Sequence, residues 1–328
     1  MRMRLEYVES ERAREGWSDA LGAAVFGADP LGAPVPPEVP HTTVRMPVLA
    51  GPGRWIERWR SPEPPQYTRA GAVRLACAGA LAFGALSAEE PHEPPGGISA
   101  LEAATEWAYG QIHAALAASG CRHLVRIWNY LPCINSETGG LERYRQFNGA
   151  RRRALLASGR LIRGPVPAAS ALGCGHGPLS IYFLAAREAP RFIENPRQVS
   201  AYHYPRQYGQ RPPIFSRATL VDTAQGARLF ISGTSSIVGH RTMHAGDPAA
   251  QTRETLTNIE ALLAQAPPFT LESLTYKIYV RHPADLPLVQ REVDAAIGPR
   301  PPRVYLQADV CRADLAVEIE ATGGCGES

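Results

Sequence analysis

Residues 226–239 read GARLFISGTSSIVG, and residues 71–84 read GAVRLACAGALAFG. Each opens a similar series of elements. After the later stretch, Asp247-Pro248 supplies a helix N-cap and a first-turn proline. Leu256, Ile259, Leu262 and Leu263 then recur at helical spacing over 251–264. LTYKIYVR (274–281) alternates Leu, Tyr, Ile and Val against Thr, Lys, Tyr and Arg, which predicts a half-buried strand. A second helix is expected over 285–297, closed by Gly298-Pro299, and two alternating strands follow at 304–310 and 315–321.

The earlier stretch leads through the same order. Leu75 matches Leu229 and Gly79 matches Gly233. A helix follows at about 99–118, then LVRIWNY (124–130) echoes TYKIYVR (275–281), with Ile127 against Ile278. A helix at 141–156 comes next, and LSIYFLAA (179–186) echoes LAVEIEAT (315–322), with Leu179 against Leu315. Four matches in one order around two helices predict an internal duplication. The expected fold class is α+β, sheets with helices packed on one face. The expected units are 1–190 and 215–328, joined by a Pro- and Tyr-rich linker over 191–214. The first 60 or so residues add little to this pattern.

Bulk composition agrees with a folded, soluble chain. Of 328 residues, 45% are hydrophobic and 20% charged, with a formal charge of +3. No basic stripe marks a nucleic-acid track. No stretch reaches about 18 uninterrupted apolar residues, so no membrane span is expected. The N-terminus lacks the apolar run of a signal peptide. The six cysteines show no CxxC pairing and read as reduced thiols, which places the protein in the cytoplasm. Lys277 is the only lysine. The arginine bias suits carboxylate recognition by forked guanidinium groups, and a GC-rich genome gives the same bias.

The two final strands offer a chemical device. If 304–310 and 315–321 form a hairpin turning near Val310–Arg312, Arg303 and Glu318 lie side by side on the non-core face. Two readings remain open. One is a cross-strand surface ion pair, contributing at most ~1 kcal/mol. The other is a guanidinium that holds a substrate carboxylate beside an acid that moves a proton. In the first copy Tyr182 aligns with Glu318, no arginine aligns with Arg303, and Ser232-Gly233-Thr234 becomes Ala78-Gly79-Ala80. The first copy is therefore degenerate, and a single site built from the second copy is expected.

Residues 215–321 resemble the RidA (YjgF) family of reactive-intermediate deaminases, whose fold is similar to that of the trimeric chorismate mutases. The resemblance rests on LFISGT, QTRETLTNIEALL and PPRVYLQADVCRADLAVEIEA. Over about 70–322 the chain resembles the chorismatases. The resembling stretches are RYRQFNGARRRAL, PAASALGCGHGPLSIYFLA, YHYPRQYG and FISGTSSIVGHRTMHAGD. The resemblance implies cleavage of chorismate to pyruvate and a ring acid, with no metal or organic cofactor. Cys311 is similar to the hydroxybenzoate-forming branches, which implies 3-hydroxybenzoate, alone or with 4-hydroxybenzoate. The FISGTSS stretch departs from the diol-forming and pure 3-hydroxybenzoate forms at Ser235. A chorismate hydrolase giving a cyclohexadiene diol, a RidA-type imine deaminase and a ligand-binding regulatory module are the alternatives.

The implied roles follow residue by residue. Glu318 is the candidate acid, Cys311 the candidate determinant of the ring product, and Arg303 a carboxylate binder. The second carboxylate needs its own donors. Arg151 and Tyr144, seven apart on one helix face, are candidates, as are Tyr204 and Tyr208 in the linker and Arg217 after it. Thr234 and Ser235 offer hydroxyls beside the ring. To protonate an enol ether, Glu318 must hold its proton at neutral pH, which requires a raised pKa. The duplication weakly favours a monomer. Cys174-Gly175-His176 and the pair His240/His244 lack enough ligands for zinc, and SGTSS lacks a nucleophile elbow.

Overall fold

The structure is a computed structural model that describes residues 3–30, 32–223 and 226–324. Gln225, at the expected start of a strand, and Cys325 lie outside the described residues. The chain begins with four strands, β1 (Arg4–Glu9), β2 (Ala20–Gly27), β3 (His41–Arg45) and β4 (Arg54–Arg60). The first repeat follows: β5 (Gln66–Ala70), β6 (Val73–Ala78), β7 (Leu81–Ala88), α1 (Ala100–Ser119), β8 (His123–Pro132), α2 (Arg143–Ala157), β9 (Ala168–Cys174) and β10 (Leu179–Ala186). The second repeat holds β11 (Arg191–Ile193), β12 (Ala218–Thr223), β13 (Gly226–Thr234), α3 (Pro248–Leu263), β14 (Leu274–Val280), α4 (Leu286–Ile297), β15 (Arg303–Gln307) and β16 (Val317–Gly323).

These strands make three main sheets. Sheet I has the order β1-β4-β2-β3, sheet II β5-β6-β7-β10-β8-β9, and sheet III β11-β12-β13-β16-β14-β15. Sheets II and III have the same order, and in each the helices follow the third strand and the central parallel strand. The duplication predicted from sequence is therefore present in the topology.

Local signals set the helix ends. Ser99 and Glu102 form a reciprocal capping box ahead of α1, and Gly120 ends it in the left-handed region at φ 71°. Asp247 caps α3 by accepting from the Ala250 N–H, with Pro248 at the first position, as the sequence predicts. α1 and α2 cover the outer face of sheet II, and α3 and α4 that of sheet III. The inner faces of all three sheets meet in one core containing Phe26, Trp59, Phe83, Trp128, Tyr182, Phe230, Tyr279 and Leu306.

Four expectations are corrected. β14 is wholly buried rather than half-buried, because sheet III is covered on both faces. The final two strands are not a hairpin. α4 carries the chain from β14 across to a parallel partner, β15, and β16 then returns on the other side of β14. Tyr276 faces Arg303 on one edge and Ala321 on the other, while Glu318 lies opposite Tyr279, so Arg303 and Glu318 cannot pair. The register of the repeat also shifts. Leu75 belongs to β6, whose counterpart is β12, whereas the counterpart of β13 is β7. The ladder matches Ile127 with Ile278 and Tyr182 with Glu318 as expected, but sets Ala82 against Ile231 and, past the bulge in β13, Gly84 against Thr234, so Gly79 is not the counterpart of Gly233. Finally, the first 60 residues form sheet I, so the stretch 1–190 holds two sheets, and residues 191–193 of the expected linker are strand β11.

Among the described residues, five cysteines are free thiols and no helix is long and apolar enough to cross a membrane.

Candidate active site

The site forms where the edge of sheet II meets sheet III. β9 docks beside β13: the Ser232 hydroxyl accepts from the Ala169 N–H at 2.9 Å and donates to the Ser216 carbonyl at 2.6 Å. β13 has a register shift against β16 between Ile231 and Thr234. The irregularity leaves Ser232 and Gly233 outside the regular ladder, with Gly233 against Glu318. A β-carbon at Gly233 would come within 1.8 Å of Glu318 Oε1 and 3.1 Å of Ser170 Oγ. Only a hydrogen at that position leaves room for the Glu318 carboxyl.

A cavity of about 340 Å³ opens over this point. Glu318, Gly233, Ser235, Tyr144, Cys311, Tyr204, Tyr208 and the buried Arg217 are among the residues that line it. A small inner recess of about 30 Å³ continues past Glu318 to Ser170 and Arg151. The main volume lies within the range of small-molecule sites.

Glu318 is buried, and burial first, then the charge of Glu320, pushes its pKa up to about 8. Arg126, the Ser235 hydroxyl and Arg217 act in the opposite direction. A carboxyl in this setting keeps its proton at neutral pH. The Cys311 thiol is raised to about 12, by burial and then by Glu318, so it stays protonated. Burial likewise raises the Tyr144 hydroxyl.

Around this acid lie three guanidinium groups with unused donors. Arg151 donates to Asn148 Oδ1 at 3.0 Å and stacks on Phe147, yet its buried Nε has no partner. Arg217 donates to the Val199 carbonyl and the Tyr204 hydroxyl, and its Nε is also unpartnered. Arg312 lies 3.9 Å from the centre of the Tyr208 ring and keeps Nη2 free of hydrogen bonds. Buried unpaired donors are costly, and an anionic ligand satisfies them.

The chain aligns over 317 residues with a chorismatase of Streptomyces hygroscopicus, at 33% identity and over 93% of this chain and 90% of the relative. The chain belongs to the chorismatase family. The family profile described as chorismatase FkbO/Hyg5-like, N-terminal, matches residues 57–185. A 3-hydroxybenzoate synthase of the same organism is 39% identical over 232 residues, 66% of this chain and 68% of the relative. A chorismatase crystal structure at 1.08 Å resolution superposes with a TM-score of 0.87 at 30% identity, covering 98% of each chain. Chorismatase homology makes this protein an enzyme acting on chorismate.

Of the residues singled out from the chorismatase sequence, Glu318, Cys311, Tyr144, Tyr204, Tyr208, Arg217 and Ser235 line the cavity, and Arg151 lines the recess. Two do not. Arg303 donates to Asp294 and to the carbonyls of Gly298 and Pro301, where it closes the turn after α4. Thr234 is buried, and its hydroxyl is taken by the Ser232 carbonyl at 2.9 Å. Arg312, Gly233 and Ser170 were missed. Their placement depends on the bulge in β13 and on the contact between β9 and sheet III, neither of which leaves a periodic trace. Glu320, two residues from Glu318 on the same strand, is also a buried acid.

Proposed function

We propose that the protein cleaves the enolpyruvyl ether of chorismate, releasing pyruvate and a hydroxybenzoate, with Glu318 as the proton donor. The observation that carries this reading is a buried carboxyl with a pKa near 8 on the floor of a cavity ringed by unpartnered guanidinium nitrogens. Chorismate brings two carboxylates, and Arg151 in the recess and Arg217 in the main cavity supply separate anchors for them. The structure removes a difficulty in the chemistry. A guanidinium paired directly with Glu318 would hold it ionised, but Arg303 is engaged elsewhere.

Glu318 passes its proton to the terminal methylene of the enol ether, and the positive charge is shared between the adjacent carbon and the ether oxygen. The ring 4-hydroxyl then displaces the side chain and the ring aromatises by losing a proton, which restores Glu318. Pyruvic and hydroxybenzoic acids together contain the atoms of chorismic acid, so this route has no net demand for water. Capture of the cation by water instead gives a diol acid and consumes one water. Cys311, a neutral thiol lining both the cavity and its inner recess, bears on which course is taken. It supports 3-hydroxybenzoate, alone or with the 4-isomer.

Incubation with chorismate, with pyruvate coupled to NADH oxidation by lactate dehydrogenase, tests the reaction, and chromatography of the ring acid tests the branch. Pyruvate release above the uncatalysed rate is expected. Its absence removes the reading.

A further inference from the structure

Glu320 lies two residues from Glu318 on the same face of β16, and its environment is the opposite one. Each of its oxygens receives two donors. Oε1 accepts from Trp128 Nε1 at 2.7 Å and lies 2.8 Å from Lys277 Nζ. Oε2 accepts from Arg126 at 2.8 Å and from the Ser170 hydroxyl at 2.6 Å. Ser170 in turn accepts from Arg126 and from the Gly233 N–H at 3.0 Å. The same hydroxyl and the same glycine thus border the Glu318 carboxyl on one side and anchor Glu320 on the other.

The chain of charges extends further. Lys277, the only lysine of the sequence, is wholly buried, with Nζ 2.5 Å from Glu57 Oε2 and 2.9 Å from the Tyr182 hydroxyl. Glu57 belongs to β4 in sheet I and also accepts from Trp59 Nε1 and the Tyr182 hydroxyl. Sheet I contributes Glu57, sheet II Arg126 and sheet III Lys277 and Glu320, so all three sheets meet in this cluster.

We propose that Glu320 is a positioning residue for the reaction, a carboxylate fixed in its ionised form by four donors, whose negative charge holds neighbouring Glu318 in its acid form. The inference rests on the reading of Glu318 as proton donor. A fully donated carboxylate is favoured over the neutral acid, and a nearby like charge favours protonation of the other group. The directions agree. Burial opposes ionisation of Glu320, but Lys277 and Arg126 outweigh it and hold it below the usual carboxylate range. After burial itself, the charge of Glu320 is the largest influence raising Glu318. Other charged or titratable groups face Glu318 from β8 (Arg126, whose charge acts against that of Glu320), from α2 (Tyr144, Arg151), from the loop before β16 (Cys311) and from the segment before β12 (Arg217). Those facing Glu320, besides Lys277 and Arg126, are Glu57, Tyr7, Tyr130, Tyr182 and Tyr279, none of which carries a positive charge.

The sequence repeat shows how the device arose within one fold. Arg126 and Lys277 occupy equivalent positions, and both reach Glu320, while the counterpart of Glu320 in the first copy is Leu184. Both copies supply a cation, and only the second supplies the acid that the two cations share.

The test compares native protein, Glu320→Gln and Glu320→Asp. Infrared difference spectra against Glu318→Gln report the protonated carboxyl of Glu318 without substrate. The pH dependence of kcat/KM reports it in turnover. In Glu320→Gln the carboxyl signal and the alkaline limb should both move to lower pH by about one unit or more, a fall of about fivefold or more in kcat/KM at the native midpoint. Glu320→Asp, which keeps the charge, should restore the native limb. If Glu320→Gln does not fold, Glu320→Gln/Lys277→Met removes the pair together and should shift the limb in the same direction. A uniform loss of kcat with both limbs in place overturns the proposal and leaves Glu320 a structural ion. Native protein that releases no pyruvate but still shows the Glu318 carboxyl shift refutes the proposed reaction and leaves the coupling standing.

Discussion

Glu318 is an acid kept neutral by its surroundings, and this has two measurable consequences. Replacing it by Gln removes the proton but keeps the shape. Loss of a general acid costs about 10²–10⁴ in kcat, and substrate affinity should remain close to native. Equilibrium binding with single-turnover pyruvate release checks both. The second consequence concerns stability. The folded-state pKa of about 8 lies above the ordinary value of 4.5. Between these limits the native state binds more protons than the unfolded chain, so the Glu318 contribution to stability falls as pH rises through that window. Glu318→Gln escapes this. Its Tm should exceed that of the native chain at about pH 9, and the difference should close by about pH 5. Arg303 and Arg217 separate in the same spirit. Arg303→Met should leave kcat/KM within about twofold of native, because its fork closes a turn on the far side of β14. Arg217→Met should raise KM by tenfold or more, as expected on losing about 1.5–3 kcal/mol of charge-assisted hydrogen bonding.

At the level of elements, much was legible and the failures share a cause. Helix caps, strand parity and the order of the repeat are local signals, and α1, α3 and the pairing of Ile127 with Ile278 followed from them. The hairpin failed because adjacency in sequence was taken for adjacency in the sheet. A helix between two strands implies a parallel crossover, so β15 had to lie beyond β14, with β16 free to return on the inside. The face of β16 that carries Glu318 was assigned to the non-core side by alternation, with a surface ion pair and a substrate site both left open. Charged residues alternating with apolar ones look the same whether water or a second sheet covers them. Glu318 was singled out by strand parity and most other cavity residues by the chorismatase resemblance, whereas Gly233 and Ser170 were not found, since their roles depend on a close approach between strands from different repeats. Gly233→Ala tests that approach. The β-carbon must displace the Glu318 carboxyl, so activity should fall by about 10²-fold or more, as for other misplaced reacting groups, while Thr234→Val should change stability by only about 1 kcal/mol.

Across the whole molecule, three sheets close around one polar knot. A buried cluster of this kind is weak as a source of stability, but removing one partner leaves the others unpaired. Lys277→Met should therefore cost about 3–5 kcal/mol, measured as a fall in the denaturation midpoint. We infer that enclosure of the inner faces within one chain favours a monomer, and sedimentation equilibrium should return a mass near 35.5 kDa.

The solitary lysine has a practical consequence for anyone handling the protein. Reagents that acylate primary amines find a single side-chain target in the whole sequence, and in the folded state that target is sealed at the junction of all three sheets. Its modification, followed by mass spectrometry, therefore serves as an intrinsic clock for global opening. One added mass mapped by peptide digestion to Lys277, apart from any on the α-amino group, marks a molecule that has come apart at its centre, with no engineered label.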